Sequence, residues 1–123
     1  MNTTPNFDVL IGRGRKAQSV AAGNTIFREG DATGPMYALR SGKVEIKVKG
    51  VVVDTIGPGG MFGEMSMIER APRTATATAV ADSEIIAVDE EGFLALVQQT
   101  PYFALNVMRS LAKRVRAMNA KMS

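Results

Sequence analysis

Glycine constrains this chain most. Eleven of its twelve glycines lie between Gly12 and Gly63, and they cut that stretch into runs too short for helices. Glycines set between β-prone runs read as turns, whereas an ordinary helix needs about ten uninterrupted residues. Residues 17–21 make a first candidate strand, closed by Gly23-Asn24. Thr25-Ile26-Phe27-Arg28 follows, closed by Glu29-Gly30-Asp31, and residues 36–40 end at Ser41-Gly42. Residues 43–49 alternate, with Val44, Ile46 and Val48 on one face and Lys43, Glu45, Lys47 and Lys49 on the other. Lys49-Gly50 reads as a tight turn into Val51-Val52-Val53, and Ile56 precedes a break at Gly57-Pro58-Gly59-Gly60. After a short helix predicted over 64–70, residues 74–81 alternate Thr with Ala, and residues 84–88 make another strand. Short strands at regular spacing with turn signals between them predict an all-β sandwich or barrel.

The period changes after Val88. Residues 90–99 open with acids and place Phe93, Leu94 and Val97 on one helical face, and Pro101 breaks that helix. A longer helix is predicted from 101 to 121. Its apolar positions Ala104, Met108, Leu111, Val115, Met118 and Met122 are spaced 4, 3, 4, 3, 4, a heptad seam shorter than three full repeats. That seam suits either its own barrel or a weak homodimer through residues 104–122. Five basic residues and no acidic ones follow Pro101: Arg109, Lys113, Arg114, Arg116 and Lys121. Placed toward a helix C-terminus, they oppose its dipole. The 123 residues therefore read as one domain: a short segment 1–15, a β-roll over 16–89, and helices over 90–121.

Composition removes most enzyme chemistries. The chain contains no cysteine and no histidine, which excludes disulfides, thiolate sites, imidazole metal sites and histidine general bases. A net charge of +3 neither demands nor forbids an anionic partner. Residues 1–8 lack a basic stretch followed by an apolar run, and no window approaches the ~20 apolar residues of a membrane helix. A cytoplasmic binding domain without a cofactor is the expectation. Gly12-Arg13-Gly14-Arg15-Lys16 has no interleaved aromatics and reads as a solvated loop. Gly57-Pro58-Gly59-Gly60 lacks the Lys-Ser/Thr ending of a P-loop and reads as a turn.

The residues with chemistry lie between 62 and 75. Gly63 lets the backbone approach a ligand closely, and the turn of helix after it aims N–H groups at an anion. Pro72 stops that helix and leaves Arg73 at the start of a strand, able to fold back with a donor fork suited to phosphate oxygens. Glu64 is an acceptor for a sugar hydroxyl, and Thr74 adds a hydroxyl of its own. An anion carrying a ribose satisfies every part of this arrangement.

Phe62-Gly63-Glu64, with Arg73 nine positions after the Glu in Pro72-Arg73-Thr74-Ala75, resembles the phosphate-binding cassette of the cyclic nucleotide-binding domain family. The resemblance runs over residues 16–119 and extends to Ile26-Phe27-Arg28-Glu29-Gly30-Asp31, Met36-Tyr37-Ala38-Leu39, Ser41-Gly42-Lys43-Val44-Glu45-Ile46 and Ile56-Gly57-Pro58-Gly59. It implies a β-roll with a short cassette helix and two C-terminal helices. It also implies that Arg73 pairs with the cyclic phosphate and Glu64 with the ribose 2′-hydroxyl. Backbone N–H groups around Gly63, Glu64, Met65, Ser66, Thr74 and Ala75 would complete the phosphate cradle. Ile46, Val53 and Phe62 fall where the family lines its base pocket, and Met118 and Asn119 where the last helix reaches the base.

The implied function is a sensor of cyclic AMP, with cyclic GMP also bound, whose last helix moves to signal to a protein effector. Receptor proteins of the family continue into a helix-turn-helix domain, whereas this chain stops at Ser123, so direct DNA binding is not expected. Two alternatives stand beside this reading. One is a ligand-free scaffold or dimerisation module on the same fold, and the other is the sensor part of a transcriptional regulator that acts through a partner. A cupin-type enzyme is excluded by the missing histidines.

Overall fold

Among the described residues, eight strands fold into two antiparallel four-stranded sheets, with one short helix inside the 62–75 segment and two helices after the last strand. The computed structural model describes residues 16–122; the segment 1–15, including the Gly12-Arg13-Gly14-Arg15 stretch, lies outside the described residues. The strands are β1 (Gln18–Val20), β2 (Thr25–Phe27), β3 (Met36–Ser41), β4 (Val44–Val48), β5 (Val51–Ile56), β6 (Met61–Phe62), β7 (Thr76–Ala79) and β8 (Ser83–Val88). The helices are α1 (Glu64–Glu69), α2 (Glu90–Gln99) and α3 (Tyr102–Met122). One sheet has the order β1-β8-β3-β6 and the other β2-β7-β4-β5. The architecture is mainly antiparallel β with C-terminal helices, as the glycine punctuation predicts. Among the described residues no helix is long and apolar enough to cross a membrane.

Turn chemistry fixes the registers. In the β4–β5 hairpin Lys49 (φ 51°) and Gly50 (φ 80°) are both left-handed, the two-residue turn whose twist matches that of antiparallel strands. Lysine has no intrinsic preference for that conformation. The Glu29 carboxylate accepts its backbone N–H at 2.7 Å and holds it there. At the other end, the Asp89 side chain accepts the Gly92 N–H at 2.8 Å and caps α2.

Strand alternation sorts side chains into two cores. Phe27, Leu39, Ile46, Val53, Phe62 and Ile85 fill the space between the sheets. Met36, Ala38, Ile86 and Val88 leave the same strands on the opposite face and meet Leu96, Phe103 and Val107 of the helices. Strands β3 and β8 are therefore buried on both faces. Each fully buried apolar side chain of this size contributes about 1.5–3 kcal/mol.

The helices depart in part from expectation in which face they bury. In α2, Phe93 and Val97 of the expected face pack against the core beside the buried Gly92, Ala95 and Leu96, and only Leu94 turns outward. In α3, Phe103, Val107 and Arg114 face inward, and Leu111 and Met118 pack beside them. Met108 and Val115, two members of the expected seam, point to solvent. At 100° per residue the inward stripe runs through Phe103, Val107, Leu111, Arg114 and Met118, and the other half of the seam, Met108 and Val115, lies to one side of it. The seam is thus split between the barrel and the outer surface.

Candidate functional site

The segment between β6 and β7 folds back on itself. Gly63, with φ 80°, caps α1, and Arg70, with φ 53°, ends it after six residues. The Ser66 hydroxyl donates to the Ala71 carbonyl at 2.6 Å and closes the turn, so Pro72 leads Arg73 back beside Gly63. Arg73 then donates to the Gly63 carbonyl at 3.1 Å and to the Pro35 carbonyl at 2.7 Å, and its guanidinium lies 4.0 Å from the centre of the Phe27 ring. Phe27 is one of three mutually packed rings; its centroid is 6.2 Å from Tyr37 and 6.1 Å from Phe62.

The electrostatics of this fold-back are unbalanced. Glu64, Arg73 and Arg114 are 2%, 6% and 7% exposed, and buried charges are normally paired. Among the described residues Arg73 makes no salt bridge. Burial pushes its pKa below the ordinary guanidinium value, and the neighbouring Tyr37 and Asp31 only partly offset that. Two carbonyl acceptors and a ring face satisfy donors without neutralising the charge.

Glu64 and Arg114 are joined across the barrel. Arg114 comes from α3, donating through Nη1 to Glu64 Oε1, through Nε to Asp54 Oδ2 at 2.8 Å, and through Nη2 to the Met61 carbonyl. Burial alone would lower its pKa, but Glu64 and Asp54 outweigh burial and leave it raised. The second carboxylate oxygen of Glu64, Oε2, is buried with no hydrogen-bond partner. Such an orphan costs about 1–3 kcal/mol, more when charged, until a donor reaches it.

Between these charges lies a cavity of about 40 Å³, room for a water or two. Ile46, Val48 and Val53 form its apolar side, Arg73, Thr74 and Ala75 one rim, and Gly63, Glu64, Met65 and Ser66 the other. Arg114 and Met118 of α3 and Phe27 of β2 line it as well. Among the described residues, no group of three or more Asp, Glu, His or Cys side chains is placed to hold a metal ion.

Two residues expected at the base pocket stand elsewhere. Phe62 is fully buried in the ring cluster and does not line the cavity, because its pairing with Tyr37 aims it into the barrel interior. Asn119 is exposed, since Met118 already takes the inward position four residues after Arg114. Phe27, Val48 and Arg114 line the cavity without having been expected there. For Arg114 the sequence offered only its place in a basic run, which the helix dipole already explained.

Residues 17–100 match the cyclic nucleotide-binding domain family. The chain is similar to the Cyclic AMP receptor protein of Thermus thermophilus, 37% identical over 99 residues, which make up 76% of this chain and 46% of that protein. It is also 37% identical over 99 residues to the Pycsar effector protein XpPycTIR of Xanthomonas perforans, covering 80% of this chain and 33% of the effector. Among solved structures, the Thermus thermophilus Catabolite Activator Protein is similar with a TM-score of 0.72 and 32% identity, over 94% of this chain and 56% of that one. The chain spans about half the length, or less, of these relatives. A buried arginine and a buried glutamate face one cavity in a segment of the matched span, and the barrel around them has the neighbours' shape: the chain belongs to the cyclic nucleotide-binding domain family.

Proposed function

We propose that the chain senses a cyclic purine nucleotide, with cyclic AMP bound in preference to cyclic GMP. One observation carries this reading. A buried cation without an ionic partner and a buried glutamate with one carboxylate oxygen lacking a donor line the same cavity. A cyclic phosphate supplies the anion for Arg73, and a ribose 2′-hydroxyl supplies the donor for Glu64 Oε2. The backbone around Gly63, Met65, Ser66 and Ala75 borders the phosphate, and Ile46, Val48 and Val53 offer the base an apolar wall. The name of the Thermus thermophilus relative supports cyclic AMP. Thr74 lies on the rim, where its hydroxyl accepts from the 2-amino group of a guanine folded over its ribose. One such bond is worth about 0.5–1.5 kcal/mol, so the two affinities should lie within roughly tenfold of each other.

Calorimetric titration of wild type and Thr74→Ala with both nucleotides tests the assignment. Wild type should bind both, and at about a hundred times Kd the fold should gain roughly 2.7 kcal/mol. Thr74→Ala should change the ratio of affinities. Absence of heat and of any melting shift at millimolar nucleotide would leave only the scaffold reading.

The same geometry supports a signal. Nucleotide pockets measure hundreds of Å³, on the order of ten times the present cavity, and Arg114 and Met118 of α3 are among its lining residues. Seating a nucleotide therefore displaces α3 from the barrel or turns these two side chains away, and an effector reads the new helix position. Labels on exposed Lys43 and Arg116 should report a changed distance at saturating cyclic AMP. An unchanged distance distribution would refute the helix signal.

The outward half of the seam, Met108 and Val115, supports weak pairing of two copies. Sedimentation should show a monomer–dimer equilibrium at high micromolar concentration that Val115→Glu abolishes. A monomer under all conditions rules the pairing out.

A further inference from the structure

Six glycines among the described residues have positive φ, which explains why glycine stands there, but Gly34 is not one of them. Its reason is space. A β-carbon built on Gly34 would lie 2.6 Å from Arg73 Nη2 and 3.4 Å from Arg73 Cζ. Next to it, the Pro35 carbonyl accepts from that same Nη2 at 2.7 Å, and on its far side the guanidinium meets the Phe27 ring. Gly63 crowds the same group, with a built β-carbon 3.0 Å from Nη1. The guanidinium thus lies in a slot between two glycine backbones and a ring, with two carbonyls setting its rotation.

We propose that Gly34 is a positioning residue for Arg73: its missing side chain forms the slot that holds the guanidinium in register with the cavity. The proposal rests on Arg73 being the phosphate ligand. The clash that any side chain at 34 creates falls on the tip of a long, flexible side chain. The fold relieves it by swinging the guanidinium out, with the backbone in place. The loss is therefore in ligand affinity and not in folding.

The test pairs Gly34→Ala with Arg73→Ala and uses Gly57→Ala as control, since a β-carbon at Gly57 meets nothing within 4 Å. Gly34→Ala should weaken cyclic AMP binding about tenfold, the scale of one charged hydrogen bond, with the melting temperature nearly unchanged. In the Arg73→Ala background the same substitution should cost nothing further, because no guanidinium remains to displace. Gly57→Ala should be neutral in both. Equal losses in the two backgrounds, or no loss in the single variant, overturn the proposal. The Arg73 Nε–H resonance of the nucleotide-free protein gives a second readout, which should shift in Gly34→Ala and stay put in Gly57→Ala. An unmoved resonance overturns the slot. Failure of wild type to bind any cyclic nucleotide overturns the ligand reading instead, and the resonance still decides the contact between Gly34 and Arg73.

Discussion

Arg73→Ala is expected to weaken cyclic AMP binding by about 1.5–3 kcal/mol, roughly ten- to a hundredfold, while leaving the nucleotide-free protein folded. The asymmetry follows from what the side chain touches. Toward the protein it loses two carbonyl hydrogen bonds and a cation–π contact, against which stands the relief of a desolvated charge without an ionic partner. These terms oppose one another, so the fold changes little. Toward the ligand the loss is one-sided, because no second cation replaces the fork at that rim: Arg114 is already engaged by Asp54 and Glu64. Calorimetry and a melt on the same variant check both halves. Normal binding, or collapse of the nucleotide-free protein, contradicts the assigned role.

Arg114→Ala should destabilise the protein far more, by about 3–5 kcal/mol. Removing one member of a buried ion pair leaves the other charged and desolvated, which costs more than the pair was worth. Here it strands Glu64 Oε1 beside the already unpartnered Oε2 and frees Asp54 and the Met61 carbonyl together. It also removes the contact that ties α3 to β5 and the cassette at once. Adding Glu64→Gln to Arg114→Ala should recover part of the loss, since a neutral buried amide lacking partners costs about 1–3 kcal/mol. Urea denaturation of the two variants distinguishes this from loss of helix packing alone. If Glu64→Gln adds its own destabilisation on top, the charge on Glu64 is not the origin of the effect.

The contrast between these two arginines shows how far the sequence is legible. Arg73 lies in a contiguous segment whose turn residues, Gly63 and Pro72, fix the local path, so spacing alone brings it back beside Gly63. Arg114 is 50 residues from Glu64 and 60 from Asp54, and only the rotation of α3 on the barrel decides that it faces inward. The heptad spacing marks a stripe that only half coincides with the inward one, because Leu111 and Met118 belong to both while Met108 and Val115 flank it on the solvent side. Alternation likewise places Phe27 and Phe62 inside the barrel without saying which ring reaches the cavity. Strand β6, two residues long, is too short to leave a pattern at all. Gly34 escapes notice for the opposite reason: its meaning is a side chain that arrives from 39 positions later.

The pairing of the first strands with the last also sets the order in which the molecule comes into being. Gln18 pairs with Ile85, and Thr25 with Thr78. On a ribosome adding about 5–20 residues per second, β1 waits roughly 3–13 seconds before its partner has been made. During that interval β3 lacks the neighbour that later covers one of its edges, and the hairpin of β4 and β5 is the longest element able to form from local contacts. Contacts of such large sequence separation are late and slow to close. The cavity between the cassette and α3 is lined by Met118 as well as by Ile46 and Val53, so it forms only after the barrel and most of α3 have been made.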